Sequence, residues 1–199
     1  MWSGSMKKET LYKIFSNMPT LKGERLTLRQ MHPIDADDMF SYAAREDVTR
    51  YLLWSPHPDL SYTREYLRYI QSRYALGDFY DWAVIDRESR RMIGTCGFTR
   101  ISTENRSGEI GYVLSPDFWG RGYAVEAASL VMKFGFEELG LHRIEARFMQ
   151  GNDRSLAVMK KLGMEFEGYH IDEIFVKGSY RTVGVCAVTA EQYDKKLDN

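Results

Sequence analysis

Gly120 and Gly122 stand two apart in the segment Glu109-Ile-Gly-Tyr-Val-Leu-Ser-Pro-Asp-Phe-Trp-Gly-Arg-Gly-Tyr-Ala124. Its composition suits it to hold a phosphate. Residues 109 to 114 read as a strand, Ser115-Pro116 as a turn, and Ala124 to Leu139 as a helix. In that helix Ala124, Ala127, Ala128, Val131, Phe134 and Leu139 recur at helical spacing. Glycines between strand and helix let the backbone turn sharply and approach a ligand closely. The loop brings free N–H groups and the positive end of a helix dipole to one point, which favours a phosphate or pyrophosphate. Two other phosphate-binding designs do not fit. A P-loop ends in Gly-Lys-Ser/Thr, where this loop has Gly122-Tyr123-Ala124. A dinucleotide fingerprint has a third glycine where Val125 stands, and it follows a fully buried parallel strand. The strand here is short and carries the carboxylate of Glu109. A plain glycine-rich turn is the remaining alternative.

A second segment, Asn152-Asp-Arg-Ser155-Leu-Ala-Val-Met-Lys-Lys-Leu-Gly163, reads as a short helix that Asn152 or Asp153 caps and Gly163 stops. Alone it would be a capped helix and nothing more. Together, in this order, the two segments resemble the coenzyme A motifs of the GNAT N-acetyltransferase superfamily. Trp119-x-x-Gly122-x-Ala124 matches that family's Arg/Gln-x-x-Gly-x-Gly/Ala loop except at its first position. Tryptophan there is similar to the branch that acetylates N-termini of ribosomal proteins. Leu21 to Arg29, Asp35 to Phe40, Arg91 to Phe98 and Gly178-Ser-Tyr180 resemble further segments of the same branch. The resemblance covers residues 20–190 as a single domain, between an N-terminal extension (1–19) and a C-terminal tail (191–199).

The resemblance implies acetyl-CoA as co-substrate. Backbone amides at Tyr112, Val113 and Leu114 would bind its pantetheine and polarise the thioester. Trp119, Gly120, Arg121, Gly122, Tyr123 and Ala124 would hold the pyrophosphate, and Asn152 belongs to the cofactor-binding set. Acetyl transfer to an amine also needs a neutral amine, donors for the developing oxyanion and a proton for the departing thiolate. Glu109 is the candidate base: on a strand it shares a face with Gly111 and Val113 beside the cofactor strand. A solvated edge charge is the competing reading of it, and Glu145 is a weaker alternative base. Many GNAT enzymes carry an acidic tyrosine where Met159 stands. In the N-terminal acetyltransferase branch a serine at the Asn-x-x-Ser position is the acid, and Ser155 fits it. A first-turn hydroxyl bonded to the backbone is the plainer alternative. Thr182 stands where the branch usually has Asp, which puts its acceptor pocket in question. Trp54, in the loop bounded by Pro56 and Pro58, is the candidate for substrate contact.

The elements that must position these residues follow from patterning. A strand is predicted near Gly23 to Gln30, then a helix after Pro33 with apolar Ala36, Met39, Phe40 and Ala43. A second helix is predicted from a Ser61 cap to about Tyr74, with Tyr62, Tyr66, Tyr69 and Ile70 on one stripe and Gly77 as its stop. Strands follow at Tyr80 to Asp86, Arg91 to Thr99 and Glu109 to Leu114. After the long helix come a strand at Arg143 to Met149, the short helix and two last strands. Val183 to Val188 is apolar on both faces and reads as central in the sheet. This order makes an α/β (α+β) chain with a mixed sheet. The GNAT fold has the same order, with a mostly antiparallel central sheet of about seven strands flanked by helices. That sheet splays between its fourth and fifth strands, here Glu109 to Leu114 and Arg143 to Met149, and the acyl-CoA lies in the notch.

Composition bounds the rest. The net charge of −1 over 199 residues disfavours nucleic-acid binding through a basic surface. No apolar run of about 18 residues predicts a membrane span, and Met1 to Thr10 lacks an apolar signal core. Met1 to Met6 is either an appended tag with Met6 as the native start or native sequence. Cys96 and Cys186 read as small buried hydrophobes, which suits a reducing cytoplasm. The four histidines are isolated, so no metal site is expected. The expected function is an acetyl-CoA-dependent N-acetyltransferase of a protein N-terminus, most similar to the ribosomal-protein-alanine branch. Acetylation of a small amine (polyamine, amino acid or antibiotic) and a non-catalytic acyl-CoA-binding module are the alternatives. Homodimerisation stays open.

Overall fold

The structure, a computed structural model, describes residues 7–197; the question of Met1 to Met6 lies outside them. Eight strands form one sheet: β1 (Leu21–Lys22), β2 (Leu26–Arg29), β3 (Tyr80–Asp86), β4 (Met92–Ser102), β5 (Ser107–Leu114), β6 (Arg143–Met149), β7 (Glu165–Val176) and β8 (Ser179–Thr189). Their order is β1-β2-β3-β4-β5-β6-β8-β7, and every neighbouring pair is antiparallel except β5–β6. Helix α5 (Tyr123–Lys133) joins that parallel pair, because parallel neighbours need a crossover. The two-residue β1 is the strand beyond the expected seven. β8 lies between β6 and β7, and its Val183–Val188 stretch is buried throughout.

The sheet splits where the parallel pairing stops. β5 and β6 pair only from Ser107↔Arg143 to Ile110↔Ala146. Beyond that point Gly111 to Leu114 pair with β4 alone, and Arg147 to Met149 with β8 alone. A bulge between Phe98 and Arg100 in β4 sits just before the split and places Thr99 over Glu109.

Helix α4 (Leu60–Leu76) is capped two residues before the predicted Ser61: Asp59 is the cap, its Oδ1 accepting from Tyr62 N at 2.8 Å. Gly77 ends it at φ +71°, as predicted. Its buried stripe is Thr63, Leu67, Ile70 and Tyr74, so the tyrosine stripe is off by one position and Tyr62 and Tyr69 are exposed. The predicted long helix is divided: α5 ends at Lys133 and Phe134–Glu138 forms a π-turn. Helices α2 (Ala36–Ala43), α3 (Glu46–Thr49) and α6 (Asp153–Lys161) complete the middle of the chain.

Three helices were not anticipated: α1 (Lys8–Ser16), the four-residue α3 and α7 (Ala190–Leu197). α1 buries Leu11 and Phe15, and the Phe15 ring meets those of Tyr80, Trp82 and Phe134 at 4.6–6.1 Å between centroids. Trp82 Nε1 donates to Pro19 O at 2.8 Å, so the residues after α1 are tied to the sheet. Cys96 and Cys186 are buried free thiols, as expected. Among the described residues no helix is long and apolar enough to cross a membrane.

Candidate active site

Alternation along β3, β4 and β5 puts Asp81, Thr95, Gly97, Glu109, Gly111 and Val113 on one face. A cavity of about 810 Å³ lies over that face. The Trp54–Pro58 loop, Tyr42 of α2 and Tyr62 and Tyr66 of α4 wall one side of it, and Asn152 and Ser155 of α6 reach the other. One space therefore connects the Trp54 loop with the open edge of β5. Trp54, about one-third exposed, lies 5.4 Å from the His57 ring at its rim. Burial holds the His57 imidazole below its usual range, and its Nδ1 is 2.8 Å from Thr63 Oγ1.

The open edge, Gly111 to Leu114, carries the three residues whose amides the sequence singles out. Tyr112 has a second feature that the sequence does not show. Its hydroxyl lies 3.0 Å from Ser155 Oγ and donates to Ser155 O at 3.1 Å. Burial raises the Tyr112 phenol well above its usual value. Ser155 N donates to Asn152 Oδ1 at 3.3 Å, so Asn152 is the cap of α6. Met159, at the position where the resemblance would have an acidic tyrosine, is buried in the core.

The Trp119–Ala124 loop lies outside this cavity, past the Leu114 end of β5. Gly120 and Gly122 have φ of +73° and +80°, which L-residues rarely adopt. Gly122 precedes α5 with no side-chain cap, leaving the first N–H groups of the helix to a ligand. Trp119 is pinned by a 2.8 Å bond from Nε1 to Leu114 O and covered by the Arg154 guanidinium 4.6 Å from its ring. Arg121 lies over the Phe118 and Tyr123 rings. Tyr123 is itself buried, so only its N–H is available to a ligand. Glu126, in the first turn of α5, accepts from Arg25 N, Arg25 Nε and Leu26 N, joining the helix to β2. The space beside Gly120 is empty and a Cβ on Gly122 would meet only Arg25 Nη2, at 3.6 Å. The loop therefore fits a pyrophosphate, with Arg25, Arg121 and Arg154 around it. The sequence motif does not single out Arg25 or Arg154.

Glu109 is in the cavity wall but not free. Its Oε1 accepts from Thr99 Oγ1 at 2.8 Å, and its Oε2 is 3.5 Å from Arg100, which also reaches Glu145 at 3.2 Å. Arg147, held by Glu173, lines the same cavity. Asp81 is a second carboxylate in the cavity wall, and no sequence motif marks it. Burial pushes its carboxyl up to about 7, offset in part by the Thr95 hydroxyl and the Trp82 N–H. The sign of it in sequence was a lone carboxylate within the apolar strand Tyr80 to Ile85. Thr182 is not in the cavity wall; its Oγ1 accepts from Asp172 N at 3.3 Å across the β7–β8 hairpin.

The profile of the acetyltransferase (GNAT) domain matches residues 25–165. The chain is 36% identical over 176 residues to the uncharacterized N-acetyltransferase p20 of Bacillus licheniformis, covering 88% of this chain and 99% of that one. It is 28% identical over 178 residues to the spermidine N(1)-acetyltransferase of Escherichia coli, with 85% and 84% covered. Identity is 26% over 188 residues to the ribosomal protein uS5-alanine N-acetyltransferase of Escherichia coli, with 89% and 95% covered. The crystal structure of a GNAT-family acetyltransferase from Bacillus anthracis superposes with a TM-score of 0.78 at 29% identity, covering 87% of this chain and 99% of that one. The split between β5 and β6, the left-handed glycine loop and these matches converge: the chain belongs to the GNAT acetyltransferase family and is an N-acetyltransferase.

Proposed function

We propose that the protein acetylates the N-terminal α-amine of a protein or peptide, with acetyl-CoA lying along the Gly111–Leu114 edge and its pyrophosphate at Gly120–Ala124. The observation that carries this reading is the single cavity joining the Trp54 rim to that edge. Its rim residues Leu53, Trp54 and Pro56 are apolar, which suits the side chains of an entering peptide. An α-amine also has a pKa of about 7.7–8.0, against about 10.4 for lysine, so more of it is neutral at pH 7. Both co-substrates are available in a cytoplasm.

The residues divide the work. The Gly111–Leu114 edge orients the thioester and its amides stabilise the oxyanion. As the C–S bond breaks, the Tyr112–Ser155 hydroxyl pair delivers a proton to the thiolate. Glu109, held by Thr99 and Arg100, adds negative charge that attracts an ammonium.

Acetylation of a polyamine is the second reading, favoured by two carboxylates in one cavity and by the spermidine-acetylating relative. Arg147 in the same wall offsets part of that charge, which disfavours a polycation. A screen for CoA release with peptides starting in Ala or Ser, the same peptides N-terminally blocked, spermidine and aminoglycosides decides between them. Turnover of free peptides only is expected, with mass spectrometry placing the acetyl group on the α-nitrogen. Turnover of spermidine with none on any peptide would overturn the peptide reading. Absence of turnover on every amine would leave an acyl-CoA-binding module.

A further inference from the structure

We propose that Asp81 is the residue that docks the acceptor's ammonium and takes its proton, at the floor of the cavity. This rests on the amine-acetylation reading above. Asp81 Oδ1 is closed to solvent and has no hydrogen-bond partner, although the residue lines the cavity. Tyr42 lines the same cavity, and its Oη is also buried and unpartnered. Buried polar atoms are almost always satisfied; the same wall also carries the orphaned donor Arg147 Nε, and the two orphaned oxygens point to a missing donor. An ammonium supplies three N–H donors and one positive charge, and so answers both.

The direction of the carboxyl fits this role. Asp81 pairs with Gly97, and Gly97 pairs with Gly111 on the open strand. Asp81 Oδ1 leans over Gly97: a Cβ there would lie 2.8 Å from it, and 2.3 Å from Tyr80 O. The two glycines put no side chain of their own between the carboxyl and the β5 edge. A side chain at 97 would strike the backbone of β3.

Charge separates Asp81 from Glu109. The groups facing Asp81 are Tyr42 of α2, Tyr66 and Tyr74 of α4, and Cys96 and Thr95 of β4, all neutral. Asp81 forms no ion pair among the described residues, and Glu109 and Arg147 stand elsewhere in the cavity wall. Glu109, by contrast, is already partnered by the Thr99 hydroxyl and sits by the Arg100 guanidinium. The burial that brings the Asp81 carboxyl to about 7 sets it where a base for an α-amine works best.

The protons balance. The Asp81 carboxylate takes one from R–NH3+, giving the neutral amine and a carboxylic acid that returns the proton to solvent. The nitrogen lone pair forms the bond to the acyl carbon and the C–S bond breaks. The second nitrogen proton replaces the one that the Tyr112–Ser155 pair gives to sulfur.

The test compares wild type, Asp81→Asn and Glu109→Gln in two assays. In the first, kcat/KM is followed from pH 5.5 to 9. Wild type is expected to lose activity below a limb near 7. Asp81→Asn should lie roughly 10²–10⁴-fold lower at pH 8 and lack that limb, while Glu109→Gln keeps it. In the second, calorimetry follows binding of an Ala-starting peptide, and of spermidine, to the protein–CoA complex. Asp81→Asn should weaken amine binding about 10-fold or more and leave CoA affinity unchanged. Tyr42→Phe, which removes only the second orphaned oxygen, should weaken amine binding and keep the limb; it stands in should Asp81→Asn not fold. Asp81→Asn with wild-type pH dependence, or with unchanged amine affinity, would overturn the proposal. So would failure of wild type to bind either amine. Amine binding that depends on Asp81 without turnover would instead sink the acetylation reading.

Discussion

Tyr112 and Ser155 stand 43 positions apart in the chain, yet their hydroxyls meet at 3.0 Å. Each alone is a poor acid, and burial raises the Tyr112 phenol further. As a pair each can hand a proton on while receiving one from the other. Ser155→Ala and Tyr112→Phe should therefore each lower kcat by roughly 10²-fold with acetyl-CoA affinity nearly kept. The double variant should cost little more than either single one, because both remove the same relay. Steady-state kinetics beside CoA titration checks this; additive losses would show that the two hydroxyls act separately. Sequence patterning could identify Tyr112 as a strand residue and Ser155 as a first-turn hydroxyl. The pairing needs β5 and α6 side by side, which no local pattern records. Asp81 escaped notice for a similar reason. A single carboxylate in a strand is unremarkable until the glycines opposite it are seen to leave it a cavity.

Among the elements, those bounded by strong local signals were legible. β3 and β6 begin and end where the patterning puts them, and the Gly77 stop of α4 is where a left-handed residue was predicted. The cap of α4 was misplaced because Asp59 and Ser61 are both good caps, and only the geometry selects the aspartate. Of the predicted stripe Ile70 is in the core, but the tyrosines recur there at near-helical spacing beside it, and the core takes the neighbouring Thr63, Leu67 and Tyr74. α1 was missed because it is short and polar outside Leu11 and Phe15, so its stability comes from docking. The loop before α5 permits a sharper prediction. Acetyl-CoA at about 100 times its Kd should stabilise the fold by about 2.7 kcal/mol. For a chain of this size that is a rise in Tm of about 5–10 °C. Gly122→Val should abolish the shift, since φ of +80° is closed to a β-branched residue and its methyls would take the pyrophosphate's place. Differential scanning calorimetry with and without acetyl-CoA checks it; a full shift in the variant would place the pyrophosphate elsewhere.

At the scale of the whole molecule, the sheet works as two blades hinged at a short parallel seam. Seven of its eight strands follow from patterning and family resemblance, all but the two-residue β1, and the seam's position follows from where α5 returns the chain. What patterning could not supply is the seam's length. Four paired positions, Ser107 to Ile110 against Arg143 to Ala146, hold the blades together before they part. An unmatched strand edge inside a protein is a surface built to pair. On the proposed binding mode, the partner that edge meets is a small molecule with two amide groups rather than another polypeptide. In hydrogen-exchange terms the ligand completes the sheet as a substitute strand. The outward-facing amides of Gly111 to Leu114 should exchange quickly in the free protein and slow at least tenfold once acetyl-CoA is bound, whereas those of Ile144 and Ala146 inside the seam should be slow in both states. Exchange mass spectrometry or NMR resolves the two groups, and equal protection before and after binding would mean the edge is not where the ligand lies. On that binding mode the enzyme leaves a strand edge unpaired whenever its co-substrate runs short, so its tendency to self-associate should fall as the cell's supply of acyl donor rises.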